Sequence, residues 1–305
     1  MNNDGAPGFR PIDIVTIIYA LLQAVLVTIF MSNRPGWFYL TGFYLAACGI
    51  ALVFALFQKY GFTKILRLCY PLFFLPLLYE ALRSQILIIW GRSFDHQVTA
   101  LEMKIFGFEP SFILQKYMTI GLNELFSLFY MYYYILPVLA LILVIRRRWD
   151  SLERTALAVS VSFYICYEIF IFYPVFGPRF YLENVYYLPL IGPFFTPLAT
   201  RIVSQGGLQG GAMPSSHCAV ALVFTWFLAR EFKSAAKPLY FFLIMLSIST
   251  VYGRYHYIAD VVVGLLVGAI SILLTSWWQD RFLTAKENAV SARDIKNSET
   301  VGIGV

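Results

Sequence analysis

Long apolar runs, separated by short stretches of charged and turn-forming residues, occupy most of the chain. A membrane-spanning helix requires about 20 mostly apolar residues, and charged or turn-forming residues mark where such a run ends. The pattern predicts eight spans, at approximately residues 14–31, 37–57, 66–90, 119–145, 155–173, 218–228, 238–252 and 258–278. It therefore predicts an all-α fold, a polytopic membrane helical bundle.

Two stretches differ from these runs. Residues 91–118 mix charged and apolar positions too closely for a span, which predicts an amphipathic segment lying in the membrane interface. Residues 279–305 are polar without periodicity, which predicts a disordered tail. The predicted organisation is two N-terminal transmembrane helices in residues 1–65 and a six-helix membrane domain in residues 66–278.

The composition supports a membrane protein and excludes several other classes. Only 13% of the residues are charged and 59% are hydrophobic, whereas soluble domains carry about 25% charged residues. A soluble domain, a disordered chain and a disulfide-based scaffold are all inconsistent with these values. The net charge of +6 does not indicate a nucleic-acid partner, because no basic tract is long enough. The membrane is the predicted partner.

The distribution of positive charge predicts the orientation in the membrane. With the N-terminus in the cytoplasm, 15 of the 23 Lys and Arg residues fall on the cytoplasmic side, seven fall opposite, and Arg83 lies within a span. Cytoplasmic loops carry this excess in membrane proteins. Both termini are therefore predicted to be cytoplasmic, in the cell membrane or a bacterial inner membrane. Residues 174–217 and 253–257 are predicted to share the extracytoplasmic side.

Two of the three histidines in the chain begin predicted spans on that side. His217 starts the sixth span, and His256 precedes Asp260 by four positions at the start of the eighth, so this pair shares one helix face. A carboxylate that bonds one imidazole nitrogen makes the other a better nucleophile, and a second histidine can protonate a leaving group. A structural clamp or a proton relay would use the same pair.

Positive charge and hydrogen-bond donors near these histidines favour a phosphoryl site. Arg179 follows Gly177-Pro178, and Ser215 stands where helix-start amides can bind an anion. Arg254 precedes His256 by two positions, and Arg201 lies in the long loop. Interfacial snorkelling is the alternative for both of these arginines.

These residues carry a family resemblance. The motif Gly-x-x-Pro-Ser-x-His, which ends at His217, is followed about forty residues later by His-x-x-x-Asp-Val, which begins at His256. This arrangement resembles the type-2 phosphatidic acid phosphatase superfamily over about residues 170–270. Residues 95–110 are similar, more weakly, to a segment of the inositol phosphorylceramide synthase-like (inositolphosphotransferase) branch. The resemblance implies that residues 66–278 form a phosphatase- or phosphotransferase-like catalytic core.

The resemblance also implies roles for individual residues. His256 would attack phosphorus and form a phosphohistidine, and Asp260 would orient it. His217 would be the general acid for the departing alcohol and then the base for the acceptor. Ser215 and Arg179 would bind phosphate oxygens, with Arg254 as a further candidate. This chemistry requires no metal and no cofactor.

Two cations of the phosphatase pattern are absent. Phe172 and Thr250 stand where that pattern has a Lys and an Arg. A phosphate monoester carries a charge of about −1.5 to −2, and its transfer usually needs several fixed positive groups. A phosphodiester carries one negative charge and needs fewer. Headgroup transfer from a phospholipid to a lipid or polyol acceptor is therefore favoured. Hydrolysis of a lipid phosphate or polyprenyl pyrophosphate is the alternative, since Arg254 and Arg201 can replace the missing charges.

Other polar residues inside predicted spans are candidates for lining a substrate cavity. Glu80 and Arg83 are three positions apart, which permits either a buried ion pair or a cavity role. Glu168, near the outer end of the fifth span, and the Tyr130–Tyr134 cluster are further candidates. A proton-coupled transporter is the alternative from another functional class. It is disfavoured because the polar chemistry is concentrated in the C-terminal half, without inverted repeats.

Overall fold

The structure is a computed structural model that describes residues 9–56 and 61–301, and the side chains of residues 61–69 and 282–301 lie outside that description. Within the described residues the regular elements are helices, and the sole bridge between extended residues joins Val175 to Gly211. The helices are α1 (Pro11–Met31), α2 (Trp37–Leu56), α3 (Gly61–Ala81), α4 (Asp95–Phe106), α5 (Pro110–Leu114), α6 (Ile120–Ile145), α7 (Trp149–Phe172), α8 (Pro178–Tyr181), α9 (Phe195–Gly206), α10 (Ser216–Glu231), α11 (Ala236–Tyr252) and α12 (Ile258–Val301).

The predicted all-α membrane bundle is confirmed. In the described part of the chain, six helices are long and apolar enough to cross a membrane: α1, α2, α6, α7, α11 and α12. The other two predicted spans correspond to α3 and α10. α10 has 16 residues and is therefore only about 24 Å long. Because α10 packs against α6, α7, α11 and α12, most of its surface is buried by protein.

Small residues allow α12 to approach α10 closely. A methyl group on Gly264 would overlap the carbonyl oxygen of Ser215, and one on Gly268 would lie 2.5 Å from the carbonyl oxygen of Ala219. Glycines four positions apart permit such close packing of membrane helices. This packing brings the first turn of α10 next to the first turn of α12.

The segment predicted to lie in the interface forms α4 and α5 instead of a span. α4 exposes the side chains of Leu101 and Ile105, which share one face, while Asp95 and Glu102 are buried on a different face. The two carboxylates are seven positions apart, which is two helical turns, and they face the protein. α4 is therefore amphipathic, with its polar groups directed at other elements.

The C-terminal segment differs from the prediction of disorder. α12 continues to Val301, through most of residues 279–305. Residues 282–301 contain neither proline nor glycine, the two residues that disfavour a helix most strongly. An apolar span can therefore continue into a polar helical extension.

The orientation in the membrane stays a prediction. Six of the cytoplasmic cations on which it depends lie outside the described residues or side chains, namely Lys59, Lys64, Arg67, Lys286, Arg293 and Lys296. The predicted common side of His217 and His256 is consistent with the close approach of the α10 and α12 N-termini.

Candidate active site

Two histidines are in direct contact at the N-termini of α10 and α12. Nδ1 of His217 lies 3.2 Å from Nε2 of His256. His217 is the second residue of α10, and His256 stands in the turn between α11 and α12. The two positions are far apart in sequence, and the helix packing described above brings them together.

Backbone hydrogen bonds join the loop before α8 to the segment before α10. The N–H of Val175 donates to Gly210 O (3.1 Å), and the N–H of Ala212 donates to Val175 O (2.9 Å). Gly177 follows with a φ of +88°, and a methyl group there would lie 2.9 Å from Tyr255 O and 3.1 Å from Ala212 Cβ. Only glycine fits this left-handed, crowded position.

Further backbone bonds connect these segments to the turn that carries His256 and to α12. The N–H of Arg179 donates to Arg254 O at 2.8 Å, and the N–H of Ser215 donates to Asp260 O at 2.9 Å. Three segments, hereafter the three motif segments, therefore form one hydrogen-bonded frame: one carries Arg179, one carries Ser215 and His217, and one carries His256 and Asp260. Side chains placed on this frame keep fixed relative positions.

A backbone carbonyl orients His256. Its Nδ1 lies 2.8 Å from Ala212 O and 3.5 Å from Oδ2 of Asp260. A carbonyl only accepts hydrogen bonds, so Nδ1 carries the proton and Nε2 carries the lone pair. Burial lowers the pKa of His256 to about 4, which keeps the ring neutral at neutral pH. Asp260 Oδ2 also accepts the N–H of Tyr257 at 2.8 Å.

The second ring nitrogen of His217 bonds a tyrosine of α6. Nε2 of His217 lies 2.9 Å from the hydroxyl oxygen of Tyr130, and the Tyr133 ring lies 4.5 Å from the His217 ring. The sequence singled out this tyrosine cluster only as a possible cavity lining. The bond to His217 is a tertiary contact between two helices, and no spacing in the sequence predicts it.

Arg179 is the candidate phosphate ligand with an uncommitted side chain. Its guanidinium lies 5.9 Å from the centre of the Tyr255 ring, and it forms no ion pair or side-chain hydrogen bond in the described part of the chain. The Tyr255 ring is 4.7 Å from that of Tyr130, which bonds His217. Ser215 is buried, and its hydroxyl caps α10 by accepting the N–H of Cys218 at 3.4 Å.

Arg254 and Arg201 are the other two candidate cations for binding phosphate. Nη2 of Arg254 donates to Leu188 O at 2.7 Å, and its guanidinium lies 4.0 Å from the Tyr186 ring centre. Arg254 has a φ of +63°, and its side chain packs against the loop that follows α8. Arg201 is exposed on α9. The structure brings neither guanidinium into hydrogen-bond contact with the histidine pair.

The predicted cavity residues bond partners away from the histidines. Glu168 of α7 accepts a hydrogen bond from Nε2 of Gln23 in α1, at 2.8 Å. Glu80 and Arg83 form an ion pair at 2.7 Å, as their spacing permits, but this pair is exposed at the C-terminal end of α3.

The two buried carboxylates of α4 contact the site. The sequence placed Asp95 only at the start of the weakly similar segment 95–110 and assigned a role in the site to neither carboxylate. Oε1 of Glu102 accepts the N–H of Ala259, in the first turn of α12, at 3.0 Å. Burial raises the pKa of Glu102 to about 7, against the opposing effect of that hydrogen bond. Asp95 accepts hydrogen bonds from Phe176, Gly177 and Tyr257. The sequence feature that could have identified Asp95 and Glu102 is their position on one face of an amphipathic helix.

Comparison with known proteins adds one match. Residues 96–274 match the family model described as PAP2 superfamily, which is more than half of the chain. The matched range contains Arg179, Ser215, His217, His256 and Asp260. No curated protein and no solved structure matches the chain.

Proposed function

Because the chain belongs to the PAP2 superfamily, we propose that it is an integral membrane phosphotransferase or phosphatase that acts on lipid phosphate esters through His256. The observation that carries the proposal is the 3.2 Å contact between His217 Nδ1 and His256 Nε2. This contact places a nitrogen that can act as nucleophile next to a nitrogen that can carry a proton.

The reaction proceeds in two steps. With His217 protonated on both ring nitrogens, the lone pair on His256 Nε2 attacks phosphorus and the ester P–O bond breaks, while the departing oxygen takes the Nδ1 proton of the His217 imidazolium, which becomes neutral. An acceptor hydroxyl then gives its proton to His217 and attacks the phosphohistidine, which restores free His256. Arg179 offsets the charge on the phosphate oxygens in both steps. Asp260, 3.5 Å from His256 Nδ1, stabilises the ring while it carries positive charge.

Tyr130 allows His217 to change protonation state. A hydroxyl both donates and accepts hydrogen bonds. The Tyr130 hydroxyl therefore donates to Nε2 when His217 is neutral and accepts from it when the substrate's negative charge favours an imidazolium. The 2.9 Å contact serves both states.

The limited number of available cations supports transfer of a headgroup from a phosphodiester. Arg179 has an uncommitted guanidinium, whereas Arg254 bonds Leu188 O and packs on Tyr186. A single fixed cation suits the single negative charge of a diester better than the double charge of a monoester. The proposed donor is a phospholipid, the proposed acceptor is a lipid or a polyol, and the site faces the extracytoplasmic side.

The test uses purified protein in lipid vesicles. One reaction contains a phospholipid donor and an alcohol acceptor, and the other contains a lipid monophosphate alone. Acceptor-dependent product in the first supports transfer. Release of inorganic phosphate from the second, with no transfer product in the first, would replace transfer with the phosphatase alternative.

Two histidine variants complete this test. His256→Ala should abolish turnover, because the nucleophile is removed. His96→Ala is the matched control, since His96 is exposed on α4. Wild-type turnover by His256→Ala would exclude a phosphohistidine at this residue and remove the proposed mechanism.

A further inference from the structure

We propose that Asp95 is a positioning residue that holds the Arg179 segment and the His256 turn in one fixed relative position. This inference rests on the proposed function of that site. Asp95 begins α4, outside the three motif segments, and its side chain is fully buried.

The carboxylate of Asp95 accepts three hydrogen bonds from two different segments. Oδ2 accepts the backbone N–H of Phe176 at 2.8 Å, and Oδ1 accepts the backbone N–H of Gly177 at 2.9 Å. Oδ1 also accepts the hydroxyl of Tyr257 at 3.2 Å. Both oxygens of one carboxylate are thus occupied by donors from the two segments.

These donors are next to the groups that perform the proposed chemistry. Gly177 precedes Arg179 by two residues, and Tyr257 directly follows His256. Hydrogen bonds to an ionised carboxylate are roughly twice as strong as neutral ones. Asp95 therefore fixes the distance between the phosphate-binding cation and the nucleophile without touching the substrate.

α4 is itself anchored next to Asp95. The N–H of Phe94 donates to Pro174 O at 2.8 Å, and the Phe94 ring stacks on Tyr173 with centroids 4.7 Å apart. The Tyr173 hydroxyl donates to Oε1 of Gln97 at 2.8 Å. The start of α4 is a rigid support, so displacement of Asp95 displaces both active-site segments.

Asp95→Asn is the decisive variant. Asparagine keeps the shape but loses the charge, and its NH2 group faces donors instead of accepting from them. A misplacement of about 1 Å in an active site costs about 100-fold in rate. We expect kcat to fall by about 10- to 100-fold, with KM changed by less than about threefold, because the substrate contacts themselves remain.

Two further variants separate positioning from general support of the fold. Tyr257→Phe removes only the bond to the His256 turn and should give a smaller fall in kcat. His96→Ala changes an exposed side chain on the same helix and should retain wild-type kcat. If Asp95→Asn does not fold, Tyr257→Phe decides, and wild-type kcat in that variant would overturn the proposal.

A binding measurement keeps this inference separate from the proposed function. Orthovanadate, which can mimic the five-coordinate transition state of phosphoryl transfer, should raise the thermal unfolding midpoint of wild-type protein and of His96→Ala, and should raise that of Asp95→Asn much less. Equal stabilisation and equal kcat in Asp95→Asn and wild type would overturn the positioning role. If wild-type protein turns over no phosphate ester, the proposed function fails, and the orthovanadate comparison still decides the role of Asp95.

Discussion

Nδ1 of His217 and Nε2 of His256 lie 3.2 Å apart, so the proton donor and the nucleophile of the proposed reaction bond each other when no substrate is present. Ala212 O accepts the Nδ1 proton of His256, which leaves the Nε2 lone pair to accept from His217. A phosphate must therefore enter between the two rings and replace this hydrogen bond. The nucleophilic lone pair of His256 is therefore already in place, whereas His217 becomes the acid of the proposed reaction only when it gains a second proton.

Tyr130→Phe should lower kcat by about tenfold, the equivalent of one hydrogen bond of ~1.4 kcal/mol. The variant leaves Nε2 of His217 without its partner, so the protonated ring is less stable. Steady-state turnover measures the effect. Tyr132→Phe is the control, because that hydroxyl lies 3.3 Å from Leu239 O, away from His217. Equal loss in both variants would contradict a specific role of Tyr130.

Arg179→Ala should lower kcat/KM by about 100-fold, since a hydrogen bond to a charged group contributes about 1.5–3 kcal/mol. Arg201→Ala should have little effect, because Arg201 is exposed on α9. Kinetics with a phosphodiester substrate test both. A larger loss for Arg201→Ala than for Arg179→Ala would mean that a different cation binds phosphate.

The pH dependence of kcat/KM should reflect the buried nucleophile. Burial lowers the pKa of His256 from 6.5 to about 4, so the acid limb of the profile should lie near pH 4. His256 must be unprotonated at Nε2 to attack phosphorus, so activity is lost as the pH falls and Nε2 gains a proton. Because burial lowers the pKa, this loss should occur at a lower pH than it would for an exposed histidine. A phosphodiester substrate suits the measurement because its single acidic group stays ionised throughout. An acid limb near pH 6.5 would contradict this prediction.

Glu102→Gln should remove a pH-dependent part of the stability. Burial raises the pKa of Glu102 from 4.5 to about 7, so the folded state holds this proton more tightly than the unfolded state. Its contribution is full below about pH 4.5 and is lost as the pH rises through about 7. The unfolding midpoint of wild-type protein should therefore fall more between about pH 5 and pH 8 than that of the variant. Glu183→Gln, at an exposed position, should follow the wild type, and parallel curves for all three proteins would refute the prediction.

Gly264→Ala should separate the two histidines. The added methyl group overlaps Ser215 O, and such overpacking typically costs about 1–3 kcal/mol of stability. Thermal unfolding and turnover should both decrease. Gly42→Ala in α2 is the control, because a methyl group there meets nothing within 4 Å. Wild-type turnover by Gly264→Ala would show that this close approach is dispensable.

The sequence predicted the parts of the structure that depend on residue type and local spacing. The apolar runs predicted the membrane bundle, and the two motifs identified His217 and His256, which the structure brings into contact. The Ala212 carbonyl that orients His256 was not predictable, because every residue has a carbonyl and only the fold selects one. The contacts of Asp95 and Arg254 depend on distant loops for the same reason. The helical extension of α12 was not predictable from composition, because residues 282–301 are polar and mix helix-favouring with helix-disfavouring residue types.

The side chains of Leu101, Ile105 and Phe106 on α4 are exposed, and the sequence predicts that this helix lies in the membrane interface. On the positioning role proposed for Asp95, a displacement of α4 by the bilayer would reach Gly177 and Tyr257. Turnover is then expected to depend on the thickness of the bilayer, although no reacting group changes.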